Sequence, residues 1–414
     1  MTNTSIPPIR LLGRDFVGFV DAFGAQAATW TGGDAHGEWV DLPTLESQLL
    51  TQGRARSGDV DLVLVVSDWL PHLIENGDLL RLDDLLADNP PADWPQGWSP
   101  SMRTLTRARD GSTHALAYHD GPMLTLYRGD LYEDANEQEG FRALHGYALR
   151  PPQTWAEYVD QAEWFARPEE GLWGTVLAGL PDGHNTVYDF LLQLWNRGGA
   201  LSRDGDVAFD GAEGIAALTF LDRLWNDLGV IDPQARRYDS VASGQAFADG
   251  RAALMVNWCG FAALSSLPGS PTAGLVRCAP VPRVELSSPR SVSVNVFWAV
   301  GVASGSRDPV AAYDLVRHLA SPEMDKITSR AGATGTRLST WRDPAIQAIA
   351  PYYSIIEEVH RSVDSPPATA AWPQIAGALT AMVDGVLHRR KSPHDAAADA
   401  ANVVRDAGWL DKLR

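Results

Sequence analysis

The chain has 414 residues, of which 45% are apolar and 21% charged, so it can bury two or three ordinary globular cores. Its formal net charge is −18, with Arg far outnumbering Lys, which argues against nucleic acid or an anionic membrane surface as partner, since both require a basic face. Fifteen Trp are an unusual allotment, and an indole is a good platform for a flat apolar face. Only Cys259 and Cys278 carry thiols; they fit no metal pattern, and their number does not imply a disulfide. The first ten residues lack a basic head followed by an apolar core, so no export signal is visible, and no apolar run reaches the length of a membrane span.

In chain order, Ile9 to Leu12 reads as a first strand, followed by a helix from Val17 to Ala28. Thr31 to Gly37 reads as a glycine-rich loop, and Leu42 to Arg54 as an amphipathic helix led by Pro43. Val60 to Val66 is the clearest buried strand, and it ends on Asp68 and Trp69. The tract from Asn89 to Pro100 reads as a surface crossing. Ala115 to Tyr118 and Met123 to Tyr127 are extended runs joined by His119-Asp120-Gly121-Pro122, a candidate hinge and a candidate site. Thr154-Trp-Ala-Glu157 is a capping box opening a helix to about Ala166. A polar loop from Gly179 to Tyr188, with Asp182, His184 and Asn185, runs into a helix that ends near Gly198. Ala212 to Leu228 is a further amphipathic helix.

The stretch from Val241 to Gly260 joins a short helix, a glycine stop at Gly250, and an apolar strand from Arg251 to Val256. That strand delivers Asn257 and Trp258 to its carboxyl end, where open α/β sheets bind ligands. Leu275 to Val281 and Ser291 to Ala303 read as extended segments. Asp308-Pro309 and Ser321-Pro322 open two helices, Gly332 to Arg337 forms a loop, and Trp372 to His388 and Ser392 to Asp406 close the chain as helices. The alternation of strands and helices predicts parallel α/β units.

Several pieces in this order resemble the bacterial extracellular solute-binding proteins of ABC importers, in the sugar-binding group that includes maltose-binding protein. They are Asp61-Leu-Val-Leu-Val-Val with Trp69, Gly77-Asp-Leu-Leu-Arg-Leu-Asp83, Tyr127-Arg128-Gly129-Asp130-Leu131, Pro152-Gln-Thr-Trp155, Phe247 to Trp258, and Pro309 to Pro322. The resemblance covers nearly the whole chain. It implies an α/β, two-lobed periplasmic-binding-protein-like (type II) fold with a ligand cleft between lobes that close on the ligand. One lobe is expected from 1–118 and 298–340, the other from 119–297 and 341–414. It implies a non-enzymatic protein without cofactor or metal. Such a protein acts as a monomer, captures a carbohydrate or polyol, and delivers it to the permease subunits of an importer. It also implies an extracytoplasmic location, whereas the missing export signal suits a cytoplasmic one.

By the same resemblance, Trp258 stacks on sugar, Tyr188 and Trp372 are aromatics of the site, Asp68 and Asp120 are polar contacts, and Arg337 closes a contacting loop. Sugar chemistry asks for the same residue types: Trp258, Tyr188, Trp69 and Trp372 offer planes, and Asp68, Asp120, Asp182, Asn185, Asn257 and Arg337 offer hydrogen-bonding edges. His119 and His184 belong to pieces not general to the family. Plainer roles stand beside these: Trp69 and Trp372 as packing, Asp182 and Asn185 as turn or cap, the two His as structural, and Arg337 in an ion pair. Two other function classes remain open on sequence alone. One is a glycoside hydrolase, which needs a carboxylate pair at a defined separation. The other is a cytoplasmic sugar sensor.

Overall fold

The structure is a computed structural model that describes residues 7–267, 269–288 and 291–409. The main strands are β1 (Ile9–Arg14), β2 (Ala35–Val40), β3 (Leu62–Val66), β4 (Ala115–His119), β5 (Met123–Arg128), β6 (Trp173–Thr175), β7 (Ala252–Trp258), β8 (Val276–Ala279), β9 (Ser293–Val294), β10 (Trp298–Val302) and β11 (Val363–Asp364). The helices used below are α1 (Val17–Ala27), α2 (Trp155–Phe165), α3 (Asn185–Asn196), α4 (Ala212–Asn226), α5 (Ser240–Ala248), α6 (Pro309–Leu319), α7 (Pro322–Arg330), α8 (Trp372–Leu387) and α9 (Pro393–Asp406).

The chain forms two compact units. Unit 1 is Met1–Gly121, Val296–Ile349 and Pro366–Trp372; unit 2 is Pro122–Asn295, Ala350–Ser365 and Pro373–Arg414. The first two crossings lie after Gly121 and after Asn295. The third lies after Ile349, and the return of residues 366–372 to unit 1 has no counterpart in the sequence reading.

Unit 1 is built on a five-stranded sheet in the order β2-β1-β3-β10-β4. β1 is parallel to both β2 and β3, as βαβ alternation requires, but β10 is antiparallel to β3 and to β4. Every residue of β3 is buried, which explains its continuous apolar run. Unit 2 is built on a four-stranded sheet in the order β8-β5-β7-β6, in which β5 is antiparallel to β7 and β8 while β6 and β7 are parallel. Both sheets are therefore mixed, with parallel pairing confined to β1–β2, β1–β3 and β6–β7. The helix-strand alternation fixes direction only within local βαβ units, and β5 and β10 each enter straight from a crossing without a preceding helix.

Local chemistry sets the helix starts. Thr154 Oγ1 accepts the Glu157 N–H at 3.2 Å, while Glu157 Oε2 accepts from the Gln153 N–H at 2.7 Å. Asp308, Ser321 and Ser392 cap α6, α7 and α9, each with proline in the first turn. Gly250 has φ +80°, so the stop after α5 needs a residue without Cβ.

Two local readings are corrected. The expected glycine-rich loop holds an edge strand, β2, whose Trp39 indole folds back over its own strand. A Cβ at Gly37 would lie 2.5 Å from that ring, and one at Gly13 2.7 Å. The expected helix 42–54 is a five-residue helix followed by a wider turn over Ser47–Thr51 and a separate 3-10 turn at Arg54–Arg56. Among the described residues, no helix is long and apolar enough to cross a membrane. Neither Cys259 nor Cys278 is in a disulfide.

Candidate functional site

In unit 1, β3 and β4 run in the same direction on either side of β10. Their carboxyl ends meet at Trp298, which pairs with Val66 and with His119. This edge gathers Asp68, Trp69, His119 and Asp120, the place where an α/β sheet offers its ligands. Asp68 Oδ2 accepts the Trp372 indole N–H at 2.8 Å, so the first residue of α8 is tied to the end of β3. Trp69 and Trp372 are buried, at 2% and 1% exposure.

His119 is packed and held. Its Nδ1 accepts the Thr334 N–H at 2.7 Å, and the next residue returns the bond, Asp120 N–H donating to Thr334 O at 2.9 Å. The Phe19 ring lies edge-on at 5.1 Å. Burial, with the Arg14 charge adding to it, depresses the His119 pKa to about 3, so the ring stays neutral at ordinary pH. Thr334 is a residue the sequence reading passed over; the only signal was its place in a Gly- and Thr-rich loop.

Arg337 is not at this edge as a ligand contact, and that expectation is corrected. Its guanidinium donates to Ala320 O and Ala92 O, both at 2.7 Å, and to Asp93 Oδ2 at 3.2 Å. It stacks 4.3 Å from the centre of the Trp98 ring and is 1% exposed. Its main-chain N–H, with that of Thr336, is held by the buried carboxylate of Asp325. The loop is an internal clamp of unit 1.

In unit 2, β6 and β7 are parallel, so the loop after β6 and the end of β7 lie at one sheet edge. Trp258 is half-buried there, opposite Met123 at the start of β5. Its indole N–H donates to Asn185 Oδ1 at 3.0 Å, and the Tyr188 ring stands edge-on at 5.2 Å. His184 Nδ1 lies 3.3 Å from the Tyr188 hydroxyl. Asn185 is 4% exposed, and its Nδ2 has no partner among the described residues. One turn of α3 and one strand end therefore build a wall of aromatic faces with an uncommitted amide donor.

Two expected contacts serve the scaffold instead. Asn257 is buried and donates from Nδ2 to Ser243 Oγ at 3.0 Å, tying β7 to α5. Asp182 Oδ1 accepts the His184 N–H at 3.1 Å, an Asx turn that shapes the loop into α3. Asn295 is fully buried, and neither end of its amide has a partner among the described residues. Among the described residues no cluster of His, Cys, Asp and Glu could hold a metal.

One helical turn beyond Asn185, α3 carries Asp189, which borders a small cavity with Trp155, Tyr158, Gln193 and Val256. Burial raises its pKa from 3.8 to about 8. A carboxyl whose folded pKa exceeds its unfolded one holds a proton preferentially in the folded state. Its contribution is full below about pH 4 and is lost as pH rises through about 8. Asp189→Asn should therefore raise the urea midpoint at pH 8.5 and change little at pH 4. The ceiling is about 6 kcal/mol, at ~1.4 kcal/mol per pH unit of the window. Urea titrations of both proteins at the two pH values check this; an equal offset at both would remove the titration as the cause.

The sequence model of the bacterial extracellular solute-binding protein family matches residues 38–347. A probable ABC transporter-binding protein of Deinococcus radiodurans is 23% identical over 368 residues, 86% of this chain and 82% of that protein. The maltose-bound MalE3 structure from T. maritima superposes with TM-score 0.85 at 22% identity, covering 97% of this chain and 99% of that one. A solute-binding protein from Agrobacterium radiobacter K84 in complex with ribitol gives TM-score 0.86 at 22% identity, with the same coverage of 97% and 99%.

Proposed function

Because this chain belongs to the bacterial extracellular solute-binding proteins, we propose that it captures a neutral carbohydrate or polyol and passes it unchanged to the permease subunits of an ABC importer. The reading includes an extracytoplasmic place of action, a monomeric protein, and no chemistry on the ligand. The observation that carries it is the wall of unit 2. Trp258 is half-buried with its N–H bound to Asn185, which leaves its ring for the C–H face of a sugar. The free Nδ2 of buried Asn185 is a donor for a hydroxyl. The maltose and ribitol held by the two similar structures have this chemistry. On unit 1, Asp68 and Asp120 are the carboxylates proposed to take further hydroxyls, with Trp69 and Trp372 as aromatic support.

A thermal-shift panel of maltose, other mono- and oligosaccharides, and the polyols ribitol and mannitol tests the reading. A ligand at a hundred times its Kd stabilises the native state by about 2.7 kcal/mol, a shift of several degrees. Mass spectrometry of the same mixture should return the ligand unaltered. A panel without a single shift would overturn the ligand class. Product beyond one equivalent per protein would overturn the transport role in favour of a hydrolase.

A further inference from the structure

Unit 2 carries a second recess, of about 590 Å³, remote in sequence from Trp258 and Asn185. That volume lies in the range of small-molecule sites. Its walls come from residues 150–153, from 279–286 after β8, from the β9 segment, and from residues 358–362 before β11. The frame is fixed: Arg283 N–H donates to Gln153 O at 2.9 Å, Trp155 N–H donates to Arg283 O at 2.8 Å, and Ser362 Oγ donates to Ser291 O at 2.8 Å. β9 and β11 pair directly beside it.

Three arginines line this recess in a protein of net charge −18. Arg150 is matched by a bidentate pair to Glu157, both bonds 2.9 Å. Arg283 and Arg361 are different: neither has a carboxylate within ion-pair distance among the described residues. The Arg361 side chain has no hydrogen bond among the described residues, and the Arg283 side chain makes one, to Ser288 O at 3.2 Å. Among the described residues the single opposing charge of the lining is Glu358. At physiological salt the screening length is about 8 Å, so these two guanidinium groups, and not the distant acidic surface, set the local potential. Guanidinium forks match carboxylate and phosphate oxygens in pairs. Pro151, Pro280 and Val281 supply apolar wall for an organic body.

We propose that this recess is a second ligand site, taking a small organic molecule through an oxyanion group, phosphate or carboxylate, held by Arg283 and Arg361. It differs in place and in charge from the neutral-ligand wall around Trp258, and it stands whether or not that wall binds sugar.

Phenyl phosphate and benzoate serve as probes, with benzyl alcohol as the neutral control, titrated by calorimetry at fixed ionic strength. Saturable one-to-one binding of either anion is expected, weakened at least tenfold in Arg361→Glu and in Arg283→Gln, and largely restored in Arg361→Lys. Arg361 is exposed and Arg283 is anchored through its main chain, so the variants keep the fold, which circular dichroism verifies. The tighter of the two probes assigns the head group. Trp258→Ala should leave anion binding unchanged, which separates failure here from failure of the sugar reading. No binding by either anion, equal binding by benzyl alcohol, or equal anion affinity in wild type and the Arg283→Gln/Arg361→Glu double variant would overturn the proposal.

Discussion

Trp258→Ala should weaken binding of the best sugar or polyol by tenfold to a hundredfold while leaving most of the folding stability in place. The indole is half-buried at the carboxyl end of β7, its N–H is spent on Asn185, and one edge meets Tyr188. Loss of a ring that covers a ligand face costs about 1–3 kcal/mol, from lost buried area and ring contact together. A fully buried Trp behaves otherwise: its truncation costs about 3–5 kcal/mol of folding stability through the cavity left behind. Trp341, at 1% exposure in unit 1, is the control for that outcome. Calorimetric affinity and urea midpoint on the same variant separate the two. A collapsed midpoint with normal affinity in the surviving protein would make Trp258 core. Asn185→Ala should also weaken binding, and a double-mutant cycle with Trp258 should show coupling, because the amide both fixes the indole and presents its free donor.

Arg337→Ala should do the reverse, costing about 3–5 kcal/mol of stability with ligand affinity unchanged in the protein that remains folded. The guanidinium is the sole side-chain donor to Ala320 O and Ala92 O among the described residues, and it stacks on Trp98. Its removal strands two carbonyls and a void. It also deprives buried Asp325 of a favourable charge; burial already raises that carboxyl's pKa, and the Arg337 charge opposes the rise. Arg337→Lys should recover less than half of the loss, since an ammonium cannot span both carbonyls and cover an indole at once. An unchanged urea midpoint together with lost binding would return Arg337 to the ligand site.

The wall of unit 2 was readable because its signals are local. A glycine stop, an apolar run of strand length and a polar-indole pair follow one another within twenty residues, and each obeys a short-range rule. The caps at Thr154, Asp308, Ser321 and Ser392 were readable for the same reason. Edge strand β2 was hidden because its glycines, which make room for Trp39, are also the composition of a loop.

The amino-acid order by itself determined which segments form the buried strands, where most of the long helices begin, that Trp258, Asp68 and Asp120 stand near strand ends, and that Tyr188 stands where a polar loop runs into a helix. These follow from hydrophobic period, backbone preference and capping, which act over a few residues. Only the tertiary structure decided how the polar groups are spent. Arg337 and Asn257 carry the same residue types as ligand contacts, yet one clamps residues 92–93 and 320 and the other ties β7 to α5. Asn185 keeps one end free because a single N–H, brought from residue 258, satisfies the other. Arg283 and Arg361 share one recess although they stand 78 positions apart, because β9 and β11 pair side by side. A side chain's partner is set by long-range packing, and no short-range rule in the sequence carries that information.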